Sequence, residues 1–120
     1  MQVDWQERYV HQACWTKNIR DYLLQQASLS HNAIILELGS GTGAVLSDIA
    51  SQFPLIAFGI DVKLDHSVIA TRNYKNFSIA TADSCALPFT ASSFDMVFCH
   101  YFFLWLVKPR LALDEAFRVL

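Results

Sequence analysis

The 120-residue sequence has few cysteines and little charge of either sign. Cys14, Cys85 and Cys99 form no CxxC pair, so a disulfide scaffold and a zinc knuckle are both poor interpretations, and we predict no metal site. Unpaired cysteines are typical of a reducing compartment, and we expect a cytoplasmic location. Nine Lys and Arg against eleven Asp and Glu give a net charge of -2. That balance offers no basic footprint for nucleic acid, so no nucleic-acid partner is expected.

The sequence also lacks an apolar run of membrane-spanning length. The most apolar stretch runs from Met96 to Val107 and contains His100, whereas a membrane-spanning helix needs roughly 20 residues. The first residues have no basic segment followed by an apolar core, so we expect no signal peptide. Apolar residues make up 53% of the chain, which is typical of a globular protein. We therefore predict about one globular domain and no membrane partner.

Helical and strand-like segments alternate along the chain. We predict helix over 5–27, in one or two pieces, and strands over 33–38, 55–60, 76–82 and 94–99, with helices at 45–53, at 64–73 and from Pro109. This alternation predicts an α/β fold, a Rossmann-like doubly wound parallel sheet with helices on both faces. Right-handed crossovers bring the carboxyl ends of all strands to one edge, where such sheets bind their ligands.

A glycine loop follows the first predicted strand and precedes a helix. Gly39, Gly41 and Gly43 suit a tight turn in which a ligand approaches bare backbone. The N-terminus of the next helix offers unpaired N–H groups to an anionic group. The stretch also fits the dinucleotide spacing G-x-G-x-x-A, which ends at Ala44, and a plain tight turn is the structural alternative.

Asp61 ends the second predicted strand, eighteen residues after Gly43. A carboxylate at this place can accept both hydroxyls of a ribose. Because NAD and S-adenosylmethionine both contain that ribose, Asp61 alone does not choose between them.

Four motifs together resemble the class I S-adenosylmethionine-dependent methyltransferases, most closely the small-molecule type with a Leu-Pro-Phe motif. They are Leu36-Glu37-Leu38-Gly39-Ser40-Gly41-Thr42-Gly43, Gly59-Ile60-Asp61, the stretch from Ala82 through Leu87-Pro88-Phe89 into Ser93-Phe94-Asp95-Met96-Val97, and Glu115-Ala116-Phe117-Arg118-Val119-Leu120. The resemblance implies transfer of a methyl group from S-adenosylmethionine to a small-molecule acceptor, by in-line displacement. It also implies two parts, an N-terminal helical cap at 1–32 and a partial cofactor-binding domain at 33–120.

The resemblance implies a role for each matching residue. The glycine loop would let the methionine part of the cofactor lie against backbone, and Glu37 would steady the loop and help place the ammonium group. Asp61 would hold the ribose, and Asp83 would accept from the adenine amino group. The implied cofactor-binding set is Glu37, Gly39, Ser40, Gly41, Gly43, Asp61, Val62, Asp83, Ser84, Cys85 and Cys99.

His100 is the candidate catalytic base, because it is the imidazole that follows the fourth strand, beside the expected acceptor. A histidine that merely packs at a strand end is an equal alternative. Phe102, Phe103 and Trp105 could wall an acceptor pocket, although an aromatic run is more often core. Arg20 could reach a carboxylate, although we expect solvation at the surface.

The resemblance covers only the first four strands of a seven-stranded fold. The fourth strand would then have an unpaired edge, which invites pairing with another chain. We therefore expect either a C-terminally truncated chain, of uncertain activity alone, or a dimer that pairs through that edge. Two other functions stay open: a nicotinamide-dependent oxidoreductase, and a catalytically silent methyltransferase-like partner.

Overall fold

The chain opens with two helices in the computed structural model, which describes residues 2–120; Met1, the first residue of the predicted cap, lies outside them. Helix α1 (Trp5–Trp15) is capped by Asp4, whose side chain accepts from the Glu7 N–H at 3.1 Å. Helix α2 (Lys17–Ala27) ends at Ser28 in the left-handed conformation. The segment 5–27, predicted to be helical in one or two pieces, therefore forms two helices.

Four parallel strands form the sheet, in the order β3-β2-β1-β4. The strands are β1 (Ile34–Leu38), β2 (Ile56–Asp61), β3 (Ser78–Thr81) and β4 (Met96–Cys99). The helices between and after them are α3 (Ala44–Gln52), α4 (Leu64–Asn73) and α5 (Pro109–Val119), with a short 3₁₀ helix at Phe103–Trp105. The predicted α/β fold is confirmed, and β4 lies at an edge of the sheet that these residues form.

Strand β1 is buried on both faces because it lies between two hydrophobic layers. Ile35 packs with the residues of α1, α2 and α3, whereas Leu36 and Leu38 pack with Val119 of α5 and with Phe94 on the opposite face. Full burial of a side chain of this size stabilises the fold by about 1.5–3 kcal/mol. The central strand is therefore a rigid support for whatever follows Leu38.

The strand registers bring three chain segments to one edge of the sheet. Leu38 pairs with Ile60 of β2 and with Cys99 of β4. At the opposite end of the sheet, Asp95 accepts from the Ile34 N–H at 2.8 Å, which links β1 to the start of β4. The segments that leave the carboxyl ends of β1, β2 and β4 therefore emerge side by side.

Candidate functional site

A cavity of about 740 Å³ lies at the carboxyl ends of the strands. Its walls are the loop after β1, the ends of β2 and β3, one face of α1, and the segment 100–106. The α1 residues that line it are Trp5, Arg8, Tyr9 and Gln12, whose spacing puts them on one helix face. The size is that of a small-molecule site.

The glycine loop lines the cavity through Gly39, Ser40 and Gly41. Gly39 and Gly41 have φ values of +66° and +56°, which side chains rarely adopt. The Ser40 N–H donates to the Ile60 carbonyl at 2.9 Å, and the Gly41 N–H donates to Asp61 Oδ2 at 2.9 Å. A Cβ atom added at Gly39 would collide with the ring of Phe102. The loop is therefore tied to β2 and offers backbone to a ligand.

Asp61 is buried at the tip of β2 and is held from several sides. Its Oδ1 accepts from the Lys63 N–H at 2.9 Å and lies 3.3 Å from His66 Nδ1. Tyr9 packs edge-on against the His66 ring, with ring centroids 5.6 Å apart. A carboxylate has about four acceptor positions, so both oxygens can still accept from a ligand hydroxyl.

Sequence reasoning did not single out His66. It lies in the first turns of α4, five residues after Asp61, and its 5% exposure shows that the ring faces inward. The spacing from Asp61 is the one signal that could have found it, because the helix begins at the strand tip.

Glu37 is the most buried charged side chain of the site, at 2% exposure. Its Oε1 has no hydrogen-bond partner among residues 2–120. Burial raises the pKa of this carboxyl to about 8, with Asp61 adding to the rise and Arg20 opposing it. The group is largely protonated at pH 7, and a cationic group in the cavity would both supply the missing partner and favour the ionised form.

The end of β3 brings further predicted residues to the cavity. Asp83 and Ser84 line it, and Asp83 Oδ1 accepts from the Cys85 N–H at 2.8 Å. Val62 lines it too, as an exposed side chain after β2. The cavity thus gathers Glu37, Gly39, Ser40, Gly41, Asp61, Val62, Asp83, Ser84 and His100.

Three predicted cofactor-binding residues do not line the cavity: Gly43, Cys85 and Cys99. Gly43 is the N-cap of α3, with φ +87°, and a Cβ there would collide with Phe77. Cys99 is half-buried in β4, and burial raises the pKa of its thiol. The structure therefore gives Gly43 a turn-forming position behind the cavity wall.

Arg20 is buried, so the expectation of a solvated surface residue is wrong. Its Nη2 donates to Asp48 Oδ2 at 2.8 Å, and its Nη1 donates to Thr16 Oγ1 at 2.9 Å. The ion pair with Asp48 explains the burial, because it compensates the charge that α2 brings against α3. Thr16 Oγ1 in turn lies 2.7 Å from His100 Nε2.

The aromatic segment after β4 divides between two environments. Phe102 and Trp105 line the cavity together with Leu104 and Tyr101, whereas Phe103 does not. Phe102 also packs on the hydrophobic cluster around Leu38. The segment thus forms a wall with one face toward the core.

Within residues 2–120, no helix is long and apolar enough to cross a bilayer, and no group of His, Cys, Asp and Glu is arranged to hold a metal.

In a comparison with known protein families, residues 36–120 match a family model described as a methyltransferase domain. An uncharacterized methyltransferase-like protein of Schizosaccharomyces pombe is 28% identical over 102 residues, which cover 85% of this chain and 40% of that protein. The malonyl-[acyl-carrier protein] O-methyltransferase of a Marinomonas species is 26% identical over 118 residues, covering 95% and 44%.

A solved structure described as a SAM dependent methyltransferase from Aquifex aeolicus shares the fold. It superposes with a TM-score of 0.71 at 22% identity, covering 82% of this chain and 56% of that one. The chain spans about two fifths of the length of the curated relatives described above.

Proposed function

Because the chain belongs to the methyltransferase-domain family, we propose that it binds S-adenosylmethionine and takes part in methyl transfer to a small-molecule acceptor. The cofactor supplies an activated methyl group that needs no metal. The protein has to hold it and to bring the acceptor atom to within about 3–3.5 Å, in line with the breaking bond.

One observation carries the proposal: the glycine loop, Glu37, Asp61 and Asp83 surround a single cavity. The cofactor has an ammonium group, a ribose and an adenine, and the cavity has a partner for each. Glu37, with its orphaned oxygen, suits the ammonium group. Asp61 suits the ribose hydroxyls, and Asp83 suits the adenine amino group.

The remaining predicted residues take supporting parts in this proposal. Ser40 and Gly41 would present backbone to the methionine part, and Val62 and Ser84 would flank the adenine. Gly43 would shape the turn into α3, and Cys85 and Cys99 would lie next to binding residues. The cap at 1–32 would close the cavity from the α1 side, over the domain at 33–120.

His100 and the aromatic segment 101–106 lie at the acceptor end of the proposed site. His100 lines the cavity beyond the tip of β4, and Tyr101, Phe102 and Trp105 line it next to His100. A small apolar acceptor with a polar reacting end fits such a wall.

The cytoplasmic location stays a prediction, which the three unpaired cysteines support.

Isothermal titration calorimetry with S-adenosylhomocysteine, on the 120-residue chain shown to be folded by circular dichroism, tests the proposal. We expect saturable binding with one site per chain, and no binding of NAD. Binding heat with NAD, but none with S-adenosylhomocysteine, would favour the oxidoreductase alternative. No heat from either compound, on a folded chain, would contradict the proposal. Turnover of acceptors by the gene product would separate an active enzyme from a silent partner.

A further inference from the structure

Thr16 is the N-cap residue of α2, yet its side chain makes no capping hydrogen bond. A threonine at this position ordinarily accepts from a backbone N–H in the first turn. Here the hydroxyl instead lies between Arg20 and His100. The side chain therefore joins the helical cap to the tip of β4.

Arg20 determines that the Thr16 hydroxyl oxygen accepts one hydrogen bond. A guanidinium can only donate, so Thr16 Oγ1 accepts from Arg20 Nη1 at 2.9 Å. The same Nη1 donates to the Ala13 carbonyl at 3.0 Å, and Nη2 donates to Asp48, so the guanidinium is held from two sides. The hydroxyl proton of Thr16 is then left to serve one acceptor.

His100 Nε2 lies 2.7 Å from Thr16 Oγ1, within reach of that proton, and it accepts in the tautomer that carries the ring proton on Nδ1. When Nε2 accepts, the Thr16 hydroxyl both accepts from Arg20 and donates to His100, and the proton of the neutral ring lies on Nδ1. A protonated ring would instead bring a second positive charge toward Arg20 and leave the hydroxyl proton without an acceptor. Burial and then Arg20 lower the pKa of His100, in agreement with this assignment.

The cavity beside His100 carries charged side chains of both signs, among them Arg8, Asp61 and Lys63. Tyr101 packs against its ring, with centroids 4.5 Å apart, and Cys99 precedes it in β4. Glu37 and Asp83 line the same cavity. The hydrogen bonds among the described residues give Nδ1 no partner, and the His100 ring lines the cavity. A bound acceptor can therefore meet the Nδ1–H.

We propose that Thr16 and Arg20 hold His100 as a neutral Nδ1–H donor, so that His100 binds an oxygen of the methyl acceptor and does not remove a proton from it. This proposal rests on the proposed function and replaces the role of base that the sequence predicts for His100. Without a base, the acceptor has to react at an atom that carries no proton, and we choose a carboxylate because its oxygens can also accept from the Nδ1–H. A lone pair of the carboxylate forms the new oxygen–carbon bond, the pair of the carbon–sulfur bond goes to sulfur, and no proton moves.

Nuclear magnetic resonance of the 120-residue chain with ¹⁵N-labelled histidine tests the tautomer without any acceptor. Long-range ¹H–¹⁵N spectra distinguish a protonated ring nitrogen from an unprotonated one, and His100→Gln assigns the His100 signals among the four histidines. We expect the proton of neutral His100 on Nδ1. Thr16→Val should move the majority tautomer to Nε2–H and raise the pKa of His100, whereas Thr16→Ser should keep the wild-type signals.

The matched control is Thr71→Val, since the Thr71 hydroxyl donates to the Ser67 carbonyl within α4. It should leave the His100 signals unchanged. A wild-type His100 with its proton on Nε2 would overturn the proposal, as would a Thr16→Val chain, folded by circular dichroism, that keeps the Nδ1–H tautomer. The tautomer is measured without cofactor, so a failure of S-adenosylhomocysteine to bind would count against the proposed function alone.

Discussion

Two regions of the molecule are built in different ways. The cofactor edge, which comprises Glu37, the loop 39–41 and Asp61, is buried and bonded to neighbouring backbone. The open flank, which comprises Trp105, Val107 and Phe117, consists of apolar side chains that are 75%, 93% and 83% exposed.

Because of this difference, we expect the two regions to play different parts. The residues of the cofactor edge come from β1, β2 and the loop after β1, whereas those of the open flank are exposed apolar side chains that follow β4 in the chain. Affinity for the cofactor should then depend strongly on residues of the cofactor edge and hardly on residues of the open flank.

Asp61→Ala should weaken binding of S-adenosylhomocysteine by roughly 100-fold or more. The carboxylate holds the N–H groups of Gly41 and Lys63, and hydrogen bonds to charged groups contribute about 1.5–3 kcal/mol each. Calorimetric titration measures the loss, about tenfold for every 1.4 kcal/mol.

Asp95→Ala is the matched control, because Asp95 also bonds a backbone N–H at a strand end, but at the opposite end of the sheet. It should lower stability and leave the affinity within about threefold. Equal losses of affinity in the two variants would break the comparison.

Gly39→Ala should weaken the same binding by about 10- to 100-fold and lower the free energy of unfolding. A side chain at φ +66° is strained by roughly 1–2 kcal/mol, and its Cβ meets the ring of Phe102. Ser92→Gly provides the converse control, since Ser92 has φ +55° on the exposed surface before β4. It should raise stability slightly and not alter affinity; wild-type affinity in Gly39→Ala would argue against backbone contact at the loop.

Glu37→Gln should weaken binding about tenfold at pH 9 and remove most of its dependence on pH. A carboxyl whose pKa is about 8 has to lose its proton to pair with an ammonium group, so wild-type affinity should rise from pH 6 to pH 9. Titrations at pH 7 in buffers of different ionisation enthalpy should show proton release on binding, which the variant lacks.

The Glu37 carboxyl should also make the stability of the fold depend on pH, in the direction opposite to that of cofactor affinity. Its folded-state pKa lies above the ordinary 4.5, so its contribution to stability is full below pH 4.5 and falls as the pH rises to about 8. Urea unfolding at pH 5, 7 and 9 measures this, and Glu37→Gln should flatten the decline. Glu115→Gln is the control, because Arg118 and the Leu87 N–H lower the pKa of Glu115 to about 2, outside that range.

Phe117→Ser and Val107→Ser should change the affinity by less than about twofold and stability by no more than about 0.5 kcal/mol, as exposed substitutions do. Sedimentation velocity on the same variants examines the predicted dimer through the β4 edge. Weaker self-association than the wild type would support an apolar contact at the open flank. A large loss of affinity would show that the two regions are coupled.

The sequence predicts that Glu37, the glycine loop and Asp61 lie together because the signals for this grouping are local. A buried apolar strand, three alternating glycines and a strand-end aspartate lie within 33–61, and strand register then brings them together. The helix predicted at 64–73 has those bounds in the structure. The burial of Arg20 was missed because its partner, Asp48, lies 28 residues away.

The bond between Thr16 and His100 joins residues 84 apart, and no periodicity indicates it. The same holds for His66, whose inward orientation depends on where α4 begins after Asp61. Long-range polar contacts are set by how helices pack on the sheet, and that packing is only weakly encoded in local pattern.

A ¹⁵N amide spectrum of the chain, recorded with and without S-adenosylhomocysteine, shows where the cofactor binds. The amides of 39–41, 61–63 and 83–85 should shift together and saturate at one ligand per chain, while those of Val107 and Phe117 stay in place. Shifts confined to the open flank, or none at all on a folded chain, would contradict the assignment of the cofactor to the cofactor edge.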